Sequence, residues 1–100
     1  MDYLFQYRGQ IENLCRQHKV KTLFAFGSVL ESRFNEKSDL DFIVDFDGMP
    51  VQDYADNYFN LKFSLQDLLQ KPVDLLEESS IRNPLFRKII LDQRQLFYGA

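Results

Sequence analysis

A single cysteine, Cys15, leaves the chain without any possible internal disulfide. Its place on the apolar side of a predicted helix suits a buried small hydrophobe better than a reactive thiol. A basic excess is missing as well. Twelve Lys and Arg stand against fifteen Asp and Glu, giving a net charge of −3 and a pI near 5.0. A chain that grips duplex nucleic acid through its phosphates would need the opposite field, so duplex binding is excluded as a first reading. No apolar run approaches the ~20 residues that span a bilayer, and charges interrupt the first ten residues where a signal peptide needs an unbroken apolar stretch. These absences lead to the expectation of a cytoplasmic protein with no membrane partner. Repeats, low-complexity tracts and interdomain linkers are absent too. With 45% hydrophobic residues, ten Phe and five Tyr among 100 residues, the expectation is one domain over residues 1–100 around a single core.

Leu4, Tyr7, Ile11, Leu14, Cys15 and His18 recur at spacings of three and four, which predicts one amphipathic helix with Asp2 as its cap. Val20 to Phe26 is β-branched and aromatic and is closed by Gly27, as a short buried strand would be. Leu40 to Phe46 is a second strand candidate, followed by the turn-like Asp47-Gly48-Met49-Pro50. Tyr54, Tyr58, Leu61, Leu65, Leu68 and Leu69 place a helix over residues 51–70, which Pro72 stops. Val73 to Leu76 is a third strand. Asn83-Pro84 opens a last helix expected to bury Leu85, Ile89 and Ile90, and Gln95 to Tyr98 adds a short final strand. This order predicts an α+β fold, a small mixed β-sheet covered by helices.

Three features carry chemistry. Gly27-Ser28 ends the first strand: glycine lets the backbone turn and approach a ligand closely, and exposed amides with a hydroxyl can hold phosphate oxygens. An ordinary strand-ending turn uses the same residues. Asp39-Leu40-Asp41 opens the second strand, and alternation puts Asp39 and Asp41 on one side, about 7 Å apart at their backbones. Such hard oxygen donors suit Mg²⁺ or Mn²⁺, although a solvated surface pair would look the same. An EF-hand is excluded because Ile43 occupies the next ligand position and no glycine follows it. Asp74, flanked by apolar residues in the third strand, either needs a partner or faces water from an edge strand. Asp45 shares the parity of Asp39 and Asp41 and is the rival third ligand, ranked lower because it lies toward the other end of the strand. Adjacent strands would gather the turn and the three acids at one sheet edge, the layout of two-metal phosphoryl transfer.

The run FGSVLESRFNEKSDLDFIV followed by VDLL resembles the nucleotidyltransferase superfamily of DNA polymerase beta, and within it the minimal nucleotidyltransferases, over nearly the whole chain. The resemblance implies the nucleotidyltransferase fold and an enzyme that transfers AMP from ATP to a hydroxyl. It implies Gly27 and Ser28 as nucleotide-binding residues. Asp39, Asp41 and Asp74 become catalytic ligands of two Mg²⁺ ions, with Mn²⁺ as a substitute, and Asp74 assists deprotonation of the acceptor. Many members of this group pair with a HEPN-domain toxin, so the resemblance further suggests an antitoxin that adenylylates a toxin tyrosine. The alternative is a binding module that neutralises a helical partner by contact alone. Modification of a small molecule is a third reading, in which a second copy or a partner subunit would supply the missing wall of the site. One departure stands out: Glu31 occupies a position where members commonly carry arginine, placing a negative charge near the phosphate turn. His18, Lys19 and Lys21 are expected at the surface. Tyr54, Tyr58 and Leu61 are read as core or partner surface, while Arg82 and Lys71 have no direction fixed by the sequence.

Overall fold

The computed structural model describes residues 2–27 and 39–99. Its element order is α1 (Asp2–Phe5), α2 (Arg8–Gln17), β1 (Val20–Phe26), β2 (Leu40–Phe46), α3 (Val51–Leu69), β3 (Val73–Glu77), α4 (Pro84–Gln93) and β4 (Gln95–Tyr98). The four strands form one sheet in the order β3-β2-β1-β4. β1 runs antiparallel to both β2 and β4, while β2 and β3 are parallel. A parallel pair cannot be joined by a hairpin, and α3 supplies the crossover that returns the chain to the same end of the sheet.

Alternation along the strands divides the interior into two layers. Leu23, Ala25, Leu40, Phe42, Val44, Val73 and Leu75 pack with Leu4, Ile11 and Cys15 and with Leu61, Leu65 and Leu69 of α3 in the larger one. The other face is thinner. Ile43, Ile81 and Ile90 are buried there, with Phe24, Phe26 and Leu76 packed around them. Cys15 is fully buried, as its position predicts.

The expected first helix is broken in two. Tyr7 has φ −108° and ψ 15°, its N–H donates to the Leu4 carbonyl at 3.0 Å, and its own carbonyl accepts from Ile11 as a new helix begins. Tertiary contacts explain the break: the Tyr3 hydroxyl donates to the Leu69 carbonyl at 2.5 Å, and Phe5 stacks on Phe97 with ring centres 5.9 Å apart. Asp2 begins α1 itself, so it is not the residue preceding the helix as expected.

α3 ends on Gln70 in the left-handed conformation, and its tyrosines belong to the core side: Tyr58 donates to the Leu75 carbonyl at 2.5 Å and Tyr54 to the Glu77 carboxylate. α4 opens as predicted, with the Asn83 carboxamide oxygen accepting from Leu85 N at 3.0 Å and Phe86 N at 3.2 Å, and Pro84 in the first turn. The expected burial of its apolar residues holds for Ile90 alone. Leu85 is 69% exposed and Ile89 46% exposed. The thin second layer takes in Ile90 of α4, and Leu85, Phe86 and Ile89 are left largely in solvent.

Candidate active site

The register of the parallel pair places Asp41 directly opposite Asp74, and the antiparallel register places Phe26 opposite Asp41 on its other side. Paired residues in a sheet share a face. One row across three strands therefore reads Asp74, Asp41, Phe26, and Gly27 follows at the end of β1. The row lies on the face of Ile43 and α4, because Asp41 and Ile43 have the same parity on β2. Asp39 immediately precedes β2 and is exposed, Asp74 is exposed, and Asp41 between them is half-buried.

Electrostatics reports the same proximity. Burial pushes the Asp41 carboxyl above the usual carboxylate range, and the charges of Asp74 and then Asp39 push it further in the same direction. Gly27 approaches more closely still. It sits at φ +79°, and a Cβ built on it would lie 2.6 Å from Oδ2 of Asp41, inside van der Waals contact. The turn therefore requires glycine twice, for its backbone angle and for the carboxylate beside it.

Of the residues named from sequence, the structure brings together Asp41, Asp74 and Gly27, with Asp39 adjoining. Ser28 and Glu31 lie outside the described residues. Asp45 is set apart, opposite Thr22 near the other end of β1, where its charge bears on the Tyr54 hydroxyl rather than on Asp41. Lys71 stands over the Tyr3 ring, with Nζ 5.6 Å from its centre. His18 caps α2, its Nδ1 2.7 Å from the Leu14 carbonyl.

Comparison with known proteins decides the family. The profile of the nucleotidyltransferase domain matches residues 8–97. The chain belongs to the nucleotidyltransferase domain family. Within that family it is similar to Putative protein adenylyltransferase MJ0128 of Methanocaldococcus jannaschii, 37% identical over 90 residues, covering 82% of this chain and 89% of the relative. Putative protein adenylyltransferase MJ1379 of the same organism is 33% identical over the same shares of each chain. A solved structure of a putative minimal nucleotidyltransferase superposes with a TM-score of 0.72 at 32% identity, covering 94% of this chain and 92% of that one. A complex of tri-AMPylated Shewanella oneidensis HEPN toxin with MNT antitoxin shares the fold, with a TM-score of 0.64 at 21% identity over 95% of this chain and 71% of that one. The protein is thus a minimal nucleotidyltransferase by family and an enzyme by class, and its fold is the α+β arrangement expected from sequence.

In this nucleotidyltransferase the acids match a divalent cation in kind, being hard oxygen donors, and in adjacency, since Asp41 and Asp74 are nearest cross-strand neighbours. Among the described residues, no three His, Cys, Asp or Glu side chains converge closely enough to hold a metal as they stand.

Sequence reasoning missed two features of the sheet face on which the acids lie. Phe26 flanks Asp41 across the strand pair, a placement that depends on the β1/β2 register. Arg94 lies with its guanidinium carbon 3.7 Å from the centre of the Phe24 ring and bonds Glu78 at 3.2 Å, and Arg87 bonds the Glu78 carbonyl at 3.3 Å. These contacts tie α4 to the acid face of the sheet. The basic residues were visible in the sequence, but nothing there paired them with Glu78. Among the described residues no helix is long and apolar enough to cross a membrane.

Proposed function

We propose that this nucleotidyltransferase transfers AMP from ATP to a hydroxyl of a protein, with a tyrosine of a HEPN-type toxin as acceptor, and acts as its antitoxin. The carrying observation is the register that sets Asp41 opposite Asp74 with Gly27 pressed against the Asp41 carboxylate. The likeness to relatives named for protein adenylyl transfer, and to the fold of an antitoxin bound to an AMPylated toxin, supports the choice of donor and acceptor.

In this reading Asp39, Asp41 and Asp74 would hold two Mg²⁺ ions, and Gly27 with Ser28 would hold the triphosphate. Bound divalent cations supply neutralisation of phosphate charge and acidification of a coordinated hydroxyl. The chain's own part is positioning. Gly27 lets the backbone turn close to Asp41, and backbone amides at such a turn can hold phosphate oxygens. Asp74, exposed at the end of the row, receives the acceptor proton as the acceptor oxygen bonds the α-phosphorus and the bond to pyrophosphate breaks.

The test is an Asp39→Asn/Asp41→Asn double variant assayed with ATP labelled in its α-phosphate and a purified HEPN-domain protein. Loss of transfer with retained folding and retained complex formation is expected. Undiminished transfer would reject the assignment of the acids. A double variant that still neutralises the toxin in cells while transferring nothing would favour neutralisation by contact.

A further inference from the structure

We infer that the exposed row of α4 is the docking surface for the protein acceptor, and that it receives a helical segment carrying an apolar stripe flanked by acidic side chains. The inference rests on the proposed transfer to a protein hydroxyl and adds where that protein sits.

The acceptor hydroxyl has to reach the row of Asp74 and Asp41, so the acceptor's body must cover the face of the sheet on which that row lies. Among the described residues, α4 is the helix packed on that face, through Ile90 against Ile43, Phe24 and Phe26. Ile43 is two residues from Asp41 on the same strand, about 7 Å along it, so an acceptor seated at the acids abuts α4.

The surface it meets is apolar without being part of the core. Leu85 is 69%, Phe86 45% and Ile89 46% exposed, and Leu96, opposite Phe24 on the same side of the sheet, is 42% exposed. Solvent-facing apolar residues grouped along one helix and the adjoining strand mark a contact surface rather than random exposure. Their spacing on α4 matches the anchor pattern of helix-to-helix recognition.

Charge identifies the partner's chemistry. The whole chain is acidic, yet residues 82–94 carry four basic residues, Arg82, Arg87, Lys88 and Arg94, against one acid, Asp92. Arg87 and Arg94 are engaged by Glu78, whereas Arg82 and Lys88, each three residues from Leu85 in the chain, are exposed. A complementary segment therefore presents carboxylates around an apolar centre.

The experiment measures the affinity of the full chain for the unmodified HEPN-domain protein of the same source by calorimetry without ATP, and label transfer in parallel. Leu85→Gln/Ile89→Gln should weaken binding at least tenfold and lower transfer by a similar factor, with an unchanged melting temperature and unchanged Mg-ATP affinity. Arg82→Glu/Lys88→Glu should weaken binding at low salt, and the difference should shrink at high salt. Phe59→Gln/Phe63→Gln, on the exposed side of α3, should leave binding as it is.

Wild-type affinity in both α4 variants would overturn the inference and leave the transfer reading intact, as would loss of binding only in the α3 variant. Wild-type protein that self-associates through Leu85 and Ile89, seen as loss of a dimer in sedimentation of the variant, would assign the face to a second copy instead. Absence of both complex and label transfer in the wild type would refute the acceptor reading and the docking surface together.

Discussion

Replacing Gly27 with alanine separates the two demands made on that residue. The backbone angle of +79° lies where an L side chain costs about 1–2 kcal/mol. The added Cβ falls 2.6 Å from Oδ2 of Asp41, at the free end of a side chain that can rotate away. Relief of the clash therefore costs little stability but displaces the carboxylate at the centre of the site. Melting should fall by roughly 5–15 °C for a domain of this size. Transfer should fall by about two orders of magnitude, the effect of displacing a reacting group by ~1 Å. Thermal melting followed by circular dichroism and transfer of α-labelled AMP measure the two effects separately. Gly48→Ala is the control, since nothing lies within 4 Å of its added Cβ, and its stability should change by less than about 0.5 kcal/mol. A Gly27→Ala protein with full activity would refute the reasoning. So would a loss of activity no larger than the loss of folded protein at the assay temperature.

Three further outcomes are expected. Gly99→Ala puts a Cβ 2.1 Å from the Lys21 carbonyl oxygen at φ +94°, and because backbone cannot yield as a carboxylate can, urea unfolding should register a loss of about 3 kcal/mol or more. A loss under 0.5 kcal/mol would mean that β4 is not anchored there. Burial pushes the Cys15 thiol from 9.0 up to about 12, so its contribution to stability is complete below pH 9 and is lost as pH rises through about 12. A thiol reagent at pH 8 should label Cys15 only as fast as the chain opens, and labelling as rapid as in urea would contradict its burial. Asn83→Ala removes the acceptor for two amides at the start of α4 and should cost about 1 kcal/mol, read as a shift in the midpoint of chemical unfolding with its slope unchanged.

Where sequence alone sufficed, local chemistry and final environment agreed. β1, β2 and β4 occupy Val20–Phe26, Leu40–Phe46 and Gln95–Tyr98 as expected, and Asn83-Pro84 opens α4. β3 runs one residue farther, to Glu77, because the parallel ladder with β2 continues through the pairing of Val44 with Glu77. Apart from the cap at Asp2, the misses are tertiary. Nothing in the spacing of Leu4, Tyr7 and Ile11 reveals that Tyr3 and Phe5 must reach Leu69 and Phe97, and those contacts break the helix at Tyr7. Leu85 and Ile89 follow a helical period, but period says nothing about how wide a layer awaits them. That Asp41 and Asp39 share a side was legible because alternation is a property of any strand, whereas the placement of Asp74 opposite Asp41 depends on the register between β2 and β3. The pressure of Gly27 on Asp41 was not legible either, since it depends on the register between β1 and β2.

The pairing of β2 with β3 links two kinds of error. Val73 and Leu75 are buried, and Asp74 between them faces the opposite side. Sliding β3 by one residue would turn the carboxylate into the oily interior and expose both aliphatic neighbours. A chain misaligned in this way would forfeit its hydrophobic gain before it could ever misplace its chemistry. Placement of Asp74 beside Asp41 is therefore delegated to the core: molecules that survive cellular quality control as folded protein carry the two carboxylates on one face by default.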